Sequence, residues 1–273
     1  QAMLAKVYAE KEEQDYDKVI AYADKVMKTT GVELEDSYET LWGYDETAKD
    51  CMKRNTKEGI LEVHWTTGSG NWETWMYGRQ LDNWDYYFTW AKWITPSRDI
   101  INDFDKEGDE VRKNQAIVYY ACTWSNYYPA SNYPFMYKLR SSYNNIYWVR
   151  LADIILMKAE AEAYKGNLAE SAKLVNQIRK RAKLKELTSD KTGSKESMIE
   201  AVLHERRLEL AFEGERWFDL CRNNKVEQYL NGIDNRDSGR IRQVRQFDGN
   251  SYLLPIPQTA LDQNTNLEQN PGY

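Results

Sequence analysis

Between Leu151 and Ala182 the apolar residues recur at steps of three and four on either side of Gly166-Asn167, and no other feature restricts the fold as much. Leu151, Ile154, Ile155, Lys158, Ala161 and Tyr164 form one stripe; Leu168, Ala172, Val175, Ile178 and Ala182 form another. With 3.6 residues per turn each set shares a face, so the spacing predicts two antiparallel helices packed face to face. Gly166 suits a left-handed C-cap, and Asn167 with Glu170 three residues later predicts a capping box. A second hairpin is predicted at the start of the chain. Its helices run from Ala2 to about Glu13, with Leu4, Val7 and Tyr8 apolar, and from Asp17 to about Thr29, with Val19, Ile20, Ala23, Val26 and Met27 apolar, around a Gln14-Asp15-Tyr16 turn. Small residues at the crossing and short polar turns are the pattern of tetratricopeptide-like helix pairs. A third helix is expected from about Ser194 to Phe212, after a Thr192-Gly193-Ser194 loop, with Gly214 ending it before Trp217 and Phe218 pack inward.

Composition excludes several classes. A net charge of -6 and a pI near 5.3 disfavour nucleic acid, whose phosphates call for clustered Lys and Arg. A mean hydropathy of -0.81 without a long apolar run disfavours a membrane-spanning helix. Cys51, Cys122 and Cys221 are isolated and odd in number, which speaks against a disulfide framework, and neither His64 nor His204 has a ligand-spaced partner, so no metal or cofactor is expected.

One strand is predicted from Ile60 to Trp65, where Leu61, Val63 and Trp65 alternate with Glu62 and His64; His64 reads as a solvated or hydrogen-bonded side chain rather than a base. From His64 to Trp93, ten of thirty residues are Phe, Trp or Tyr, and six of the ten tryptophans fall there. They are interleaved with Asn71, Arg79, Gln80, Asp82, Asn83 and Asp85, and Gly68, Gly70 and Gly78 break the opening half into loop. A pyranose offers apolar C–H faces to flat rings and a rim of hydroxyls to amides, carboxylates and guanidinium groups. Trp72, Trp75, Tyr77, Arg79, Asn83, Trp84, Asp85 and Tyr86 are therefore candidate ligand contacts. The opposing reading is a short helix from Trp84 to Ile94 whose rings fill the core; Trp90 and Trp93 are assigned there, and Tyr86 lies across from that stripe. A second aromatic stretch, Tyr119 to Tyr137, adds Trp124, Tyr127 and Tyr128, either as the other wall of a binding surface or as cover for the core. Pro129 and Pro134 rule out a continuous helix there. A stacked sugar that removes roughly 100 Å² of apolar area from water gains about 2.5 kcal/mol, so two or three rings give roughly micromolar to millimolar binding.

Near the end, Leu253-Leu254-Pro255-Ile256-Pro257-Gln258 is a hydrophobic strand running into two prolines, with Thr259 and Asp262 suited to start a short helical turn, and the chain closes on Asn270-Pro271-Gly272-Tyr273. Upstream lies Glu205-Arg206-Arg207-Leu208-Glu209-Leu210-Ala211-Phe212-Glu213-Gly214-Glu215-Arg216-Trp217-Phe218-Asp219-Leu220, whose charges read as ion pairs on a helix face rather than as acid/base machinery. These two segments closely resemble the C-terminal half of the SusD/RagB family of nutrient-binding lipoproteins. Thr95-Pro96-Ser97-Arg98-Asp99-Ile100-Ile101-Asn102-Asp103-Phe104, Asp109-Glu110-Val111-Arg112 and Arg150 to Ala161 resemble further family segments.

The resemblance implies a mostly α fold of tetratricopeptide-like hairpins with irregular aromatic loop inserts and a few short strands. The organisation expected is a helix hairpin at 1–30, a loop-rich aromatic insert at 60–149, a helical scaffold at 150–223 and an extended C-terminal segment at 224–273. It further implies a non-enzymatic binder of an oligosaccharide at the outer-membrane surface of a Gram-negative bacterium, handing its ligand to a SusC-like TonB-dependent transporter. The lipid-carrying cysteine of such proteins would precede Gln1, where the chain opens inside a helical pattern. Two alternatives remain: a glycoside hydrolase with an aromatic cleft, which needs two carboxylates at a set separation among 43 acidic residues, and a helix-repeat scaffold that binds proteins only.

Overall fold

Every side of the helix predicted to carry one apolar stripe is buried. The computed structural model describes residues 1–65, 76–78, 94–122, 125–141, 143–239 and 246–273, in two units, Gln1–Arg216 and Trp217–Tyr273. In the first unit the helices are α1 (Ala2–Ala9), α2 (Tyr16–Met27), α3 (Arg98–Glu107), α4 (Glu110–Ala116), α5 (Leu151–Tyr164), α6 (Leu168–Arg181) and α7 (Lys195–Glu209), with shorter turns between them. Helix α5 packs against α1, α2, α6 and α7, so Leu151 through Ala163 are buried on all sides, Asp153, Lys158, Glu160 and Glu162 included. Its core is continuous with Val175 and Ile178 of α6 and Met198, Val202 and Leu203 of α7.

Both hairpins form, but the first helix ends at Ala9 rather than near Glu13 and buries Ala2, Ala5 and Ala9. Leu4 and Val7, expected on its apolar face, are exposed, because only the small residues let the helix approach its neighbours closely. Asp15 caps α2 by accepting from the Lys18 amide at 3.1 Å. Gly166 takes φ +84°, which an L side chain resists. The capping box expected at Asn167 does not form. Its side chain instead donates to Glu162 Oε2 at 2.7 Å and closes the preceding helix, while Glu170 faces Lys158 and Lys173. A capping box does open α7, where Ser194 and Ser197 exchange side-chain and backbone bonds at 3.1 Å.

Among the described residues, three antiparallel two-stranded sheets accompany the helices: β1 (Tyr44–Asp45) with β2 (Asp50–Cys51), β3 (Gly59–Val63) with β6 (Ile146–Arg150), and β4 (Ile117–Tyr120) with β5 (Tyr133–Met136). Register shifts on either side of Leu61 turn the faces of β3 over relative to simple alternation. Leu61 is 42% exposed and the Glu62 side chain only 5%. Glu62 is held by the Asn55 and Thr56 amides at 3.1 and 3.0 Å and by Asn145 at 2.9 Å; His64 contacts it at 3.0 Å.

The second unit contains short helices at Val226–Leu230, Ile233–Arg236 and Gln258–Gln263. Trp217 leans on Phe247, centroids 5.8 Å apart, but Phe218 is 55% exposed, contrary to the inward packing expected of it; it lies on the outward side of a helical turn whose inward positions go to Asp219 and Leu220. Residues Leu253 to Pro257 form no strand. Their backbone is held instead by side chains from the chain end: Gln269 brackets Ile256 at 2.8 and 3.0 Å, Asn270 donates to Leu254 O at 2.6 Å, and the Tyr273 hydroxyl donates to Leu253 O at 3.1 Å. Pro257, not Thr259, is the N-cap of the last helix and supplies no side-chain bond.

Candidate functional site

The candidate site begins with the way α3 starts. Ser97 is its N-cap, accepting from the Ile100 amide at 3.2 Å, and Arg98 is its first helical residue. A cation is disfavoured at the positive end of a helix, and Arg98 turns outward to the second aromatic stretch. Its guanidinium lies over the rings of Tyr127 and Tyr128, 4.6 and 4.1 Å from their centroids, and donates to Tyr127 O. Two further bonds join the same two segments, and a third lies within the second. The Tyr128 hydroxyl donates to Pro96 O at 2.7 Å, Thr95 Oγ1 meets the Tyr133 hydroxyl at 3.1 Å, and that hydroxyl reaches Ser125 at 3.3 Å.

The rings form a chain of edge contacts. Tyr127 and Tyr128 are 4.8 Å apart at 79°, Tyr128 and Tyr133 5.6 Å apart at 79°, and Tyr133 leans on Phe135 at 5.4 Å. The far end is anchored in a small core of Cys122, Tyr133 and Phe135. The near end stays half-buried and opens into a cleft of about 960 Å³ lined by Arg98, Ser125, Asn126, Tyr127, Tyr128, Pro129 and Ala130. Among the described residues that line it there are flat faces, an amide, a hydroxyl and one guanidinium, but no carboxylate.

Of the candidate contacts read from sequence, Tyr127 and Tyr128 line this cleft together. Tyr77 is half-buried beside Gly78, whose backbone bridges to Met136 of β5; a Cβ at Gly78 would stand 2.3 Å from Leu139 O. Gly78, one of the described residues of the first aromatic insert, thus meets the strand that carries Tyr133. Trp72, Trp75, Arg79, Asn83, Trp84, Asp85, Tyr86 and Trp124 lie outside the described residues, as do Trp90 and Trp93. Arg98, Ser125 and Asn126 were not among the candidates. The available signal was an arginine directly after a serine N-cap, where an acidic residue is favoured.

Helix α3 is held from behind. Arg207 of α7 bonds Asp99 at 2.8 Å and Asp103 at 2.5 Å, and Glu107 meets Arg179 at 3.0 Å and His204 at 3.1 Å. The His204 contact, helped by Arg179 against the effect of burial, pulls the Glu107 carboxyl down to about 2.

Behind that lies a buried charge network. Arg150 reaches Glu58 at 2.8 Å, Glu209 at 2.7 Å and Glu213 at 2.7 Å. Arg112 reaches Asp109 at 2.5 Å, Glu205 at 2.7 Å and Glu209 at 3.2 Å. Arg181 binds Glu58 and Glu209, Arg179 binds Glu205, and Lys138 binds Glu213. Burial opposes the charge on Glu209, but Arg181, Arg150 and Arg112 outweigh it and hold the carboxyl far below the usual range. The charges from Glu205 to Glu215 thus pair mainly with distant parts of the chain, with Arg206 and Glu215 also 4.0 Å apart. Arg206 takes Asp153 at 2.7 Å, and Glu215 takes Lys6 at 2.7 Å. Asp219 and Arg222 form a local pair at 2.7 Å.

A family model described as SusD family matches residues 57–273. The chain belongs to the SusD family. Two curated relatives from Formosa agariphila are SusD-like proteins. P38 is 36% identical over 135 residues, 47% of this chain and 25% of that protein; P2 is 32% identical over 144 residues, 49% of this chain and 27% of that protein. Among solved structures, a SusD superfamily protein from Parabacteroides distasonis superposes with a TM-score of 0.75 at 23% identity, over 100% of this chain and 62% of that one. Surface glycan-binding protein A from Bacteroides thetaiotaomicron superposes with a TM-score of 0.69 at 16% identity, over 98% of this chain and 62% of that one. The alignments thus span about a quarter of the curated relatives, and this chain covers under two thirds of these solved structures. The SusD-like fold is mostly helical and tetratricopeptide-like, as the helix spacing predicts. No described helix is long and apolar enough to cross a membrane.

Proposed function

We propose that this SusD-family chain binds an oligosaccharide at the bacterial cell surface, without altering it, and passes it to a SusC-like TonB-dependent transporter in the outer membrane. The observation that carries this reading is the Tyr127–Tyr128 pair at the mouth of an open cleft, with Arg98, Ser125 and Asn126 beside it. Half-buried tyrosine faces suit the C–H faces of a sugar, and the amide, hydroxyl and guanidinium suit its hydroxyl rim. The SusD-like relatives and the likeness to a protein named for surface glycan binding point the same way. Trp72, Trp75, Tyr77, Arg79, Asn83, Trp84, Asp85, Tyr86 and Trp124 are proposed as further contacts.

The carboxylates favour a binder over a hydrolase. Hydrolysis takes two carboxyl groups on either side of a scissile bond, whereas Glu58, Glu205, Glu209 and Glu213 are buried against arginines, and none of the described cleft residues is acidic. Affinity electrophoresis of the protein through gels containing neutral and acidic polysaccharides tests the reading, with reducing-end analysis of the same incubations. Retardation without new reducing ends is expected. If a stacked ring contributes about 2.5 kcal/mol, Tyr127→Ala and Tyr128→Ala each weaken binding by roughly sixtyfold. Retardation unchanged in both variants, or released reducing ends, would overturn the proposal. For the hand-over, the full-length protein should co-purify with an outer-membrane transporter.

A further inference from the structure

We infer that Arg98 is the positioning residue of the aromatic wall: it sets the orientation of Tyr127 and Tyr128, and ligand retention depends on it through those rings. The inference rests on the binding proposed for the same cleft, and it adds to the place of the guanidinium on the cleft wall a second role, the orienting of the two rings.

Tyr127 and Tyr128 sit in a loop between β4 and β5, interrupted by Pro129 and half-exposed, and a loop of this kind does not fix two rings by its own backbone. The guanidinium of Arg98 faces both rings, at 4.6 and 4.1 Å, and donates to the carbonyl of Tyr127. One planar cation thus restrains two side chains and their connecting backbone at once. A lysine in its place could supply charge, but neither the flat stacking surface nor the fork of donors.

Arg98 is itself restrained. It is the first residue of α3, just after the Ser97 cap. That helix is fastened to α7 through Asp99 and Asp103 on Arg207, and through Glu107 on His204 and Arg179. Ile100 and Phe104 bury its inner face against Ala116, Ile117, Leu208 and Ala211. A continuous path of contacts therefore runs from the Glu205–Glu209 turn of α7 through α3 to Arg98 and the rings. This gives the scaffold a means of holding a loop surface in one arrangement before a ligand arrives, and a preformed surface loses less ordering entropy on binding.

The test uses the whole chain with 3-fluorotyrosine placed at position 127, read by fluorine NMR, beside affinity electrophoresis on the polysaccharide that retards the wild type most. In Arg98→Ala the fluorine resonance should shift and broaden while far-ultraviolet circular dichroism stays unchanged. Affinity should fall about tenfold, equivalent to about 1.4 kcal/mol. Arg98→Lys should restore part of the affinity but not the resonance position. If Arg98→Ala does not fold, Arg98→Gln, which keeps a planar head of smaller size, is read in the same way, with loss of the resonance position again expected. An unmoved resonance overturns the inference, as does a moved resonance with affinity within about twofold of wild type. A wild type retarded by no polysaccharide would instead remove the proposed function, and with it the role in ligand retention, while the fluorine readout alone would decide whether Arg98 orients the rings.

Discussion

Arg150 and Glu209 meet at 2.7 Å with side chains 1% and 0% exposed. The pair joins the end of β6 to the end of α7. Glu209 also receives Arg112 and Arg181, and its backbone carbonyl takes bonds from Tyr38 at 2.9 Å, Lys138 at 3.1 Å and Arg150 at 2.8 Å. Removing one partner from such a group leaves the others charged, buried and uncompensated. Glu209→Gln is therefore expected to destabilise the fold by about 3–5 kcal/mol, read as a lower midpoint in urea unfolding. A loss below about 1 kcal/mol would mean that water reaches the network.

Lys138 should behave differently, although it belongs to the same network. Its partner Glu213 keeps Arg150 through two bonds, 2.7 and 2.8 Å long, and the Glu209 carbonyl keeps Tyr38 and Arg150. Burial of the lysine, only partly offset by Glu213, pulls its pKa down to about 8. Lys138→Met thus exchanges a costly buried charge for an apolar chain against Trp42, whose ring centre lies 4.8 Å away, and should cost clearly less than Glu209→Gln in the same urea series.

The pH dependence follows from the signs. Glu209 and Asp153 have folded values below their unfolded ones, in each case because arginine or lysine partners outweigh burial. Their contribution is complete above the ordinary carboxylate range and is lost as pH falls below it. Glu107 loses its share between 4.5 and about 2. On the alkaline side the unfolded chain holds the Lys138 proton up to 10.5, whereas the folded chain releases it from about 8, so this group makes stability rise with pH between those values. Above pH 10 the buried Tyr38 hydroxyl, raised by burial, acts in the opposite sense. Urea midpoints from pH 2 to 10 should show the acid loss in the wild type and in Lys138→Met, and the alkaline contribution only in the wild type.

The hairpins were legible because helical periodicity is local: Leu151, Ile154 and Ile155, or Val175 and Ile178, declare a face within a few turns. The charge network was not, because its partners lie far apart in sequence. Glu209 pairs with Arg112, Arg150 and Arg181, while helical spacing offers only near neighbours such as Arg206, which in fact reaches Asp153. Strand β3 misled for a related reason: its register shifts exposed Leu61 and buried Glu62, an outcome decided by Asn55, Thr56 and Asn145 around the carboxylate. At the site, ring content marked Tyr127 and Tyr128, but the residue that joins them, Arg98, is not aromatic and lies about thirty residues away in sequence.

Phe218 offers a test of a departure from expectation. With 55% of its surface exposed, Phe218→Ser should shift stability by no more than about 0.5 kcal/mol, the usual range for surface changes. A loss of several kcal/mol in thermal unfolding would mean that the ring is buried in solution.

Gly78 separates a close backbone approach from mere flexibility. Its added Cβ would meet Leu139 O at 2.3 Å and Leu139 Cβ at 2.9 Å, and a backbone carbonyl cannot swing aside as the end of a long side chain can. Gly78→Ala must therefore push the segment off β5 or distort the strand, at a cost of about 1–3 kcal/mol. Gly249 is a control, because a Cβ there meets nothing within 4 Å and Gly249→Ala should be close to neutral. Since Met136, the partner of Gly78, lies on the strand that also holds Tyr133, Gly78→Ala should also weaken polysaccharide retardation in affinity gels. Full retardation at reduced stability would mean that the bridge supports the fold alone and that the two aromatic stretches bind independently.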